Sequence, residues 1–141
     1  MPPYLSPTQE AGRDFVTRGL AGPVAMLNLL RFREVADYSA SPELAPIAPI
    51  SGEEAFRRYV VYTLPFLSRS GGELLFLGAG GAFLIGPETE RWDQVALVRQ
   101  ASVRSFLAFA DDEGYLAGLG HRTAALADSR LLPLTQLPIP A

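Results

Sequence analysis

The sequence predicts an α+β domain of the ferredoxin-like type, an antiparallel sheet with helices on one face that pairs with a second copy into a dimeric α/β barrel. Three observations predict it. After an N-terminal helix, strand-like and helical runs follow in the order strand, helix, strand, strand, helix, strand. Glycine and proline signals at Gly71-Gly72 and Gly86-Pro87 separate those runs. The first and third strands are apolar on both faces, so helices on one side leave the other side in need of a cover.

Each element has its own signal. Ser6-Pro7-Thr8-Gln9 opens a helix over about residues 6–20, with Ser6 as cap, Pro7 in the first turn and Gln9 completing a capping box. That helix turns Phe15 and Val16 inward and stops near Gly19. The first strand runs from Val24 to Phe32, and residues 33–50 form a proline-rich loop, long enough to be functional or mobile. Ser51-Gly52-Glu53-Glu54 is a second capping box, followed by Phe56, Tyr59, Val60 and Leu67 at helical spacing. Pro65 lies inside this helix and removes one backbone donor from it. The second strand starts at Glu73 and is interrupted by Gly78-Ala79-Gly80-Gly81; the third spans Trp92 to Arg99. Ser102 caps a helix that carries Val103, Phe106, Leu107 and Ala110 on one face. Asp111 and Asp112 sit in a solvated break, a further helix runs from Tyr115 to about Ala127, and the last strand is Leu131 to Leu137.

Composition bounds the function. The chain has 141 residues, the length of one domain spanning residues 1–141. Its net charge is −3, and its basic residues are arginines scattered along the chain, so no phosphate-binding footprint for nucleic acid is present. No window is apolar enough to span a membrane, and Met1-Pro2-Pro3-Tyr4 has no leader character. With no cysteine and a single histidine, neither a thiolate nor a multi-histidine metal site is expected, and the cytoplasm is the expected compartment. No cofactor is expected. Gly78-Ala79-Gly80-Gly81 is not a phosphate loop, because a strand-like run rather than a helix follows it; such glycines mark a bulge or a close backbone approach.

The two-faced sheet predicts self-association. In the first strand Val24, Met26 and Leu30 share one row, and Ala25, Leu27 and Leu29 share the other. In the third, Val95 and Leu97 oppose Ala96 and Val98. A partner sheet from an identical chain covers the second face economically. The competing arrangement covers it with the N-terminal helix and the proline-rich loop of the same chain.

Six residues are candidates for a small-molecule site. Asn28 stands in the row of Val24, Met26 and Leu30, where an amide must find partners, either a ligand or a neighbouring loop. His121 is the one group that titrates near neutrality and is the general acid–base candidate. Arg122 suits a carboxylate or polarised carbonyl, or an ion pair with Asp93 or Asp128. Arg99 faces a cavity or snorkels to solvent, and Tyr59, like Tyr62, lines a cleft or packs in the core. Trp92 is a stacking wall or an apolar plug at the sheet end.

A set of short stretches resembles the domain of unknown function 1330 family. They are Met26 to Phe32, Ser51 to Tyr59, Gly71-Gly72, Trp92-Asp93-Gln94-Val95, Ser102 with Phe106, Tyr115, and His121-Arg122 through Asp128, together spanning about residues 23–133. The resemblance implies a dimeric α+β barrel, a superfamily that includes cofactor-free monooxygenases and isomerases, and it favours Arg122 as a ligand contact. Where family members carry an aromatic-proline-serine run, this chain reads Gln100-Ala101-Ser102 and lacks the aromatic. Two readings follow: a small-molecule-binding protein, with a cofactor-free monooxygenase- or isomerase-like enzyme on a small carbonyl or carboxylate compound as its catalytic version, or a non-catalytic structural or ligand-sequestering dimeric scaffold.

Overall fold

A computed structural model describes residues 2–140; Met1 and Ala141, and the expectations that touch them, lie outside it. Helix α1 (Gln9–Thr17) precedes strand β1 (Val24–Phe32), and the loop that follows carries one 3-10 turn at Pro42–Leu44. Then come α2 (Gly52–Arg69), β2 (Glu73–Ala82), β3 (Arg91–Gln100), α3 (Val103–Ala110), α4 (Glu113–Gly118), α5 (Gly120–Ala125) and β4 (Leu126–Leu134). The four strands form one sheet in the order β2-β3-β1-β4 with every pairing antiparallel, which is the ferredoxin-like arrangement. None of the described helices is long and apolar enough to cross a membrane.

The helix starts follow their capping chemistry, with local corrections. In α1 the cap is Thr8 rather than Ser6: its Oγ1 accepts the Ala11 N–H at 3.1 Å. Phe15 is buried as expected, but Val16 is 55% exposed and faces outward. Ser51 caps α2 by accepting the Glu54 N–H, while the Glu54 carboxylate turns to Arg57 instead of closing the box. The helix continues through Pro65 to Arg69. Asp112 is more than a solvated acid, because its carboxylate accepts the Gly114 and Tyr115 N–H groups and caps α4.

Two strands differ from expectation. β2 is continuous through the glycines, and its register shift falls between Leu74 and Phe76. The glycines serve close approach instead: a Cβ at Gly80 would lie 2.4 Å from the Trp92 carbonyl oxygen. β4 begins at Leu126, five residues earlier than its sequence suggests. Thr123 to Ala127 reads as helix by composition, but Leu126 pairs with Phe32 and is fully buried, so tertiary pairing overrides local propensity.

The core lies on one side of the sheet. Leu30, Ala96 and Leu126 pack with Ala55 and Phe56 of α2, Ala124 and Ala125 of α5, and Tyr38 of the loop. Beside it, Phe15 of α1 packs on Val24 and Met26 and meets Phe106 of α3 edge-on at 5.6 Å. Both α1 and the proline-rich loop therefore join the helix layer. The opposite face carries Ala25, Leu27 and Leu29 of β1, Val95 and Leu97 of β3, Phe76 of β2 and Leu132 of β4, and neither α1 nor the loop covers it. Phe76 is 59% exposed and Leu132 55% exposed.

The loop is tied down rather than free. Ala36 N–H donates to Ile50 O and Asp37 N–H to Ala124 O, each at 2.9 Å. Arg33 N–H donates to Ala125 O at 2.8 Å, and Gly52 N–H donates to Arg33 O at 3.0 Å. This junction requires glycine at 52, because a Cβ there would lie 2.3 Å from Arg33 O and 2.6 Å from Ala125 O, both backbone atoms that cannot swing aside. Gly52→Ala should destabilise the protein by about 1–3 kcal/mol, the usual range for forced overpacking. Urea denaturation of the variant measures it, and an unchanged midpoint would refute the junction's tightness.

Candidate functional site

The six expected residues do not converge on one point. Asn28 Nδ2 donates to the Met26 and Ala96 carbonyl oxygens at 3.2 and 3.4 Å, so the amide is engaged within its own sheet. Arg122 Nη1 donates to Leu5 O at 3.2 Å, holding the N-terminal segment in place of the acidic partner expected. His121 Nδ1 lies 2.7 Å from the Tyr38 hydroxyl, with the two rings edge-on at 5.5 Å. Tyr59 and Tyr115 share a hydroxyl–hydroxyl hydrogen bond of 2.7 Å, and Tyr62 donates to Gly114 O. These contacts form a polar seam between α2, α4, α5 and the loop.

Burial sets the electrostatics of this seam. Desolvation first, and the Arg58 guanidinium second, hold the His121 imidazole below its ordinary pKa. Desolvation also pushes up the phenol of Tyr38, and that of Tyr115 far more, the Tyr59 hydroxyl adding to the latter. Both effects on His121 favour the neutral imidazole, whose tautomer sets whether Nδ1 accepts the Tyr38 O–H or donates to the hydroxyl oxygen.

The remaining two candidates belong to the sheet. Trp92 is 3% exposed, and the guanidinium groups of Arg31 and Arg130 lie 4.8 and 5.0 Å from its ring centroid. Arg130 also stacks on Tyr4 and pairs with Asp128 at 2.8 Å. Although burial opposes it, hydrogen bonds from Tyr4 N–H, Arg130 and Ser129 N–H keep the Asp128 carboxylate below its usual pKa. Arg99 lies on the uncovered face in register with Glu73, and among the described residues it makes no ion pair. Gln100 is fully buried, and its Nε2 has no partner.

The concave surface lies elsewhere, along the N-terminal half of α2. One groove of about 410 Å³ runs between that helix and the sheet, with Val60, Val61 and Leu77 as apolar wall and Gln94, Ser51 and Arg57 as polar rim. A second, of about 360 Å³, shares Ser51 and Glu53 with it and adds Phe32, Arg33, Glu34 and Asp93. Asp93 is held there by accepting the Phe32 N–H at 2.8 Å. Arg33 is the residue that sequence reasoning missed: its Nε is buried without a hydrogen-bond partner. The available signal was its place at the end of an apolar strand, directly before the long loop. Among the described residues, no three His, Asp or Glu side chains are grouped closely enough to hold a metal ion.

A ferredoxin-like sheet with a groove beside its first long helix defines the class. Within it, the RPA0582 protein of Rhodopseudomonas palustris, a protein of unknown function, is 34% identical over 97% of this chain and 99% of that one, with a TM-score of 0.85. Methylated RPA0582 agrees at the same identity and TM-score over 98% of each chain. The chain belongs to the family of RPA0582. A Dabb family protein with a ferredoxin-like fold from Mesorhizobium loti is 12% identical over 84% of this chain and all of that one. Its TM-score of 0.48 is too low to carry an argument. No protein-family model matches the chain, and neither does any curated protein.

The depressed pKa of His121 has a consequence for stability. Between its folded value and the unfolded value of about 6.5, the unfolded chain binds a proton that the folded chain does not. This contribution is fully present above about pH 6.5 and is lost as the pH falls toward the folded pKa. Urea midpoints measured from neutral to mildly acidic pH should fall in the wild type and fall less steeply in His121→Gln. Identical slopes would rule out His121 as the titrating group.

Proposed function

We propose that the protein is a homodimeric α+β barrel that binds a small carboxylate or carbonyl compound in the grooves along α2. The observation that carries the binding site is the buried, unpartnered Nε of Arg33 beside a groove of ligand size. A guanidinium that forms no ion pair among the described residues and lines a concave site suits a carboxylate. In this reading Tyr59, His121 and Arg122 hold the helices, the loop and the N-terminal segment in place, and Asn28 braces the sheet, since their polar atoms are engaged inside the protein. Trp92 closes the sheet end, and Arg99 faces the partner subunit. Kinship with the domain of unknown function 1330 family is part of the proposal, supported by the ordered residue pattern and the shared fold.

The dimer rests on the uncovered sheet face. Leu27, Leu29, Val95 and Leu97 are only half-buried in the single chain, and α1 and the loop lie on the other side. Pairing two such faces removes apolar area from water at about 25 cal/mol per Å². Charges of both signs stand at the ends of the face, Glu73 beside Arg99 and Asp128 beside Arg31 and Arg130, so each acid has a basic neighbour there.

A second reading is a non-catalytic scaffold, favoured by the internal engagement of so many candidate polar groups. His121 keeps the enzymatic reading in play, because its Nδ1 is the engaged nitrogen and Nε2 accepts a proton in the tautomer whose Nδ1–H donates to the Tyr38 hydroxyl, and donates one in the other.

Two measurements test these readings. Light scattering at micromolar concentration should give twice the chain mass, and Leu97→Arg should give the monomer mass; a wild-type monomer overturns the dimer. A thermal-shift screen of small carboxylates and carbonyl compounds should find stabilising ligands whose effect is lost in Arg33→Gln. Stabilisation that survives Arg33→Gln would place the site elsewhere, and a screen without any stabilising compound would favour the scaffold.

A further inference from the structure

The groove at Arg33 holds more than a cation. Glu34, Glu53 and Asp93 line the same 360 Å³. Among the described residues none of the three carboxylates lies within ion-pair distance of Arg33. One guanidinium and three carboxylates therefore share a small concave volume without neutralising one another.

This composition discriminates between ligands. A simple anion drawn to Arg33 meets surrounding negative charge, which lowers its affinity. A simple cation drawn to the carboxylates meets Arg33. A metal ion is not accommodated, because these acids are not grouped closely enough to ligate one. A molecule carrying both charges finds a complement for each.

The local geometry also suits the negative end. A guanidinium recognises a carboxylate through whichever of its N–H groups face the ligand. Nε of Arg33 is unpartnered but itself closed off from solvent, so a ligand in the groove meets the accessible remainder of this half-buried side chain. The backbone of Arg33 is fixed at both its N–H and its carbonyl, so the side chain projects from a rigid base. Glu34 and Glu53 are exposed at the groove, and neither forms an ion pair with another described residue.

We propose that this groove selects zwitterions, small molecules that carry an ammonium and a carboxylate, with the Arg33 guanidinium binding the carboxylate and Glu34 and Glu53 receiving the ammonium. The inference rests on the small-molecule reading of the groove and narrows its ligand class.

Calorimetric titration of the full chain with alanine, β-alanine and 4-aminobutyrate tests it, with propionate and propylamine as singly charged controls. At least one zwitterion should bind about tenfold more tightly than either control, equivalent to about 1.4 kcal/mol. Arg33→Gln should remove that binding, and Glu53→Gln should weaken it severalfold while leaving propionate unaffected or improved. Glu53 is exposed at the start of α2, so its variant folds even if Arg33→Gln does not. Propionate binding as tightly as every zwitterion, with loss in Arg33→Gln, overturns the zwitterion inference and leaves the carboxylate site standing. No heat with any of the five probes at millimolar concentration also overturns it, while the wider carbonyl and carboxylate screen judges the small-molecule reading separately.

Discussion

The junction at Arg33 sets the position of most of what surrounds the groove. Its N–H donates to Ala125 O, where α5 becomes β4, and its carbonyl accepts the Gly52 N–H, where α2 begins. Three segments distant in sequence are thereby fixed within two hydrogen-bond lengths. A buried backbone bond contributes only about 0.5–1.5 kcal/mol net, but leaving its groups unpaired costs about 1–3 kcal/mol, so the junction is strongly preferred over its absence. The absence of a side chain at Gly52 permits the approach. From this contact follow the entry angle of α2, the early start of β4 and the closure of the loop through Asp37 and Ala124.

The consequences run to the polar seam. With residues 33–50 tied at both ends, Tyr38 enters the core and meets His121. A loop whose length marks it as functional or mobile is thus part of the packed layer. Its contents, Tyr38, Leu44 and Ile50, are apolar enough to pack against the main core.

Strand and helix order was legible because it depends on local patterning. β1 spans the residues that its apolar run suggests, and Ser51 and Ser102 cap the helices they precede. Less legible were features decided at a distance. Thr8 displaces Ser6 as cap, and Leu126 leaves a helical pattern because Phe32 offers it a strand partner. The register shift in β2 falls beside Leu75, with no glycine to announce it. For the site, the sequence pointed to polar residues embedded in apolar runs, and those are the ones the protein must satisfy internally. Asn28 and Arg122 are engaged by carbonyl oxygens for that reason. Arg33 sits at a strand end, where an arginine draws no notice, and its significance lies in partners that are missing.

The junction also separates two properties that proteins often entangle. Position 33 makes both junction bonds through its main chain, which any residue other than proline supplies. Glu34 and Glu53 are exposed and carry no structural bond. Gly52, by contrast, admits no larger residue without displacing two backbones. Descent with modification can therefore rewrite the chemistry of the groove one side chain at a time on an unchanged chassis, while drift at its glycine hinge is closed off.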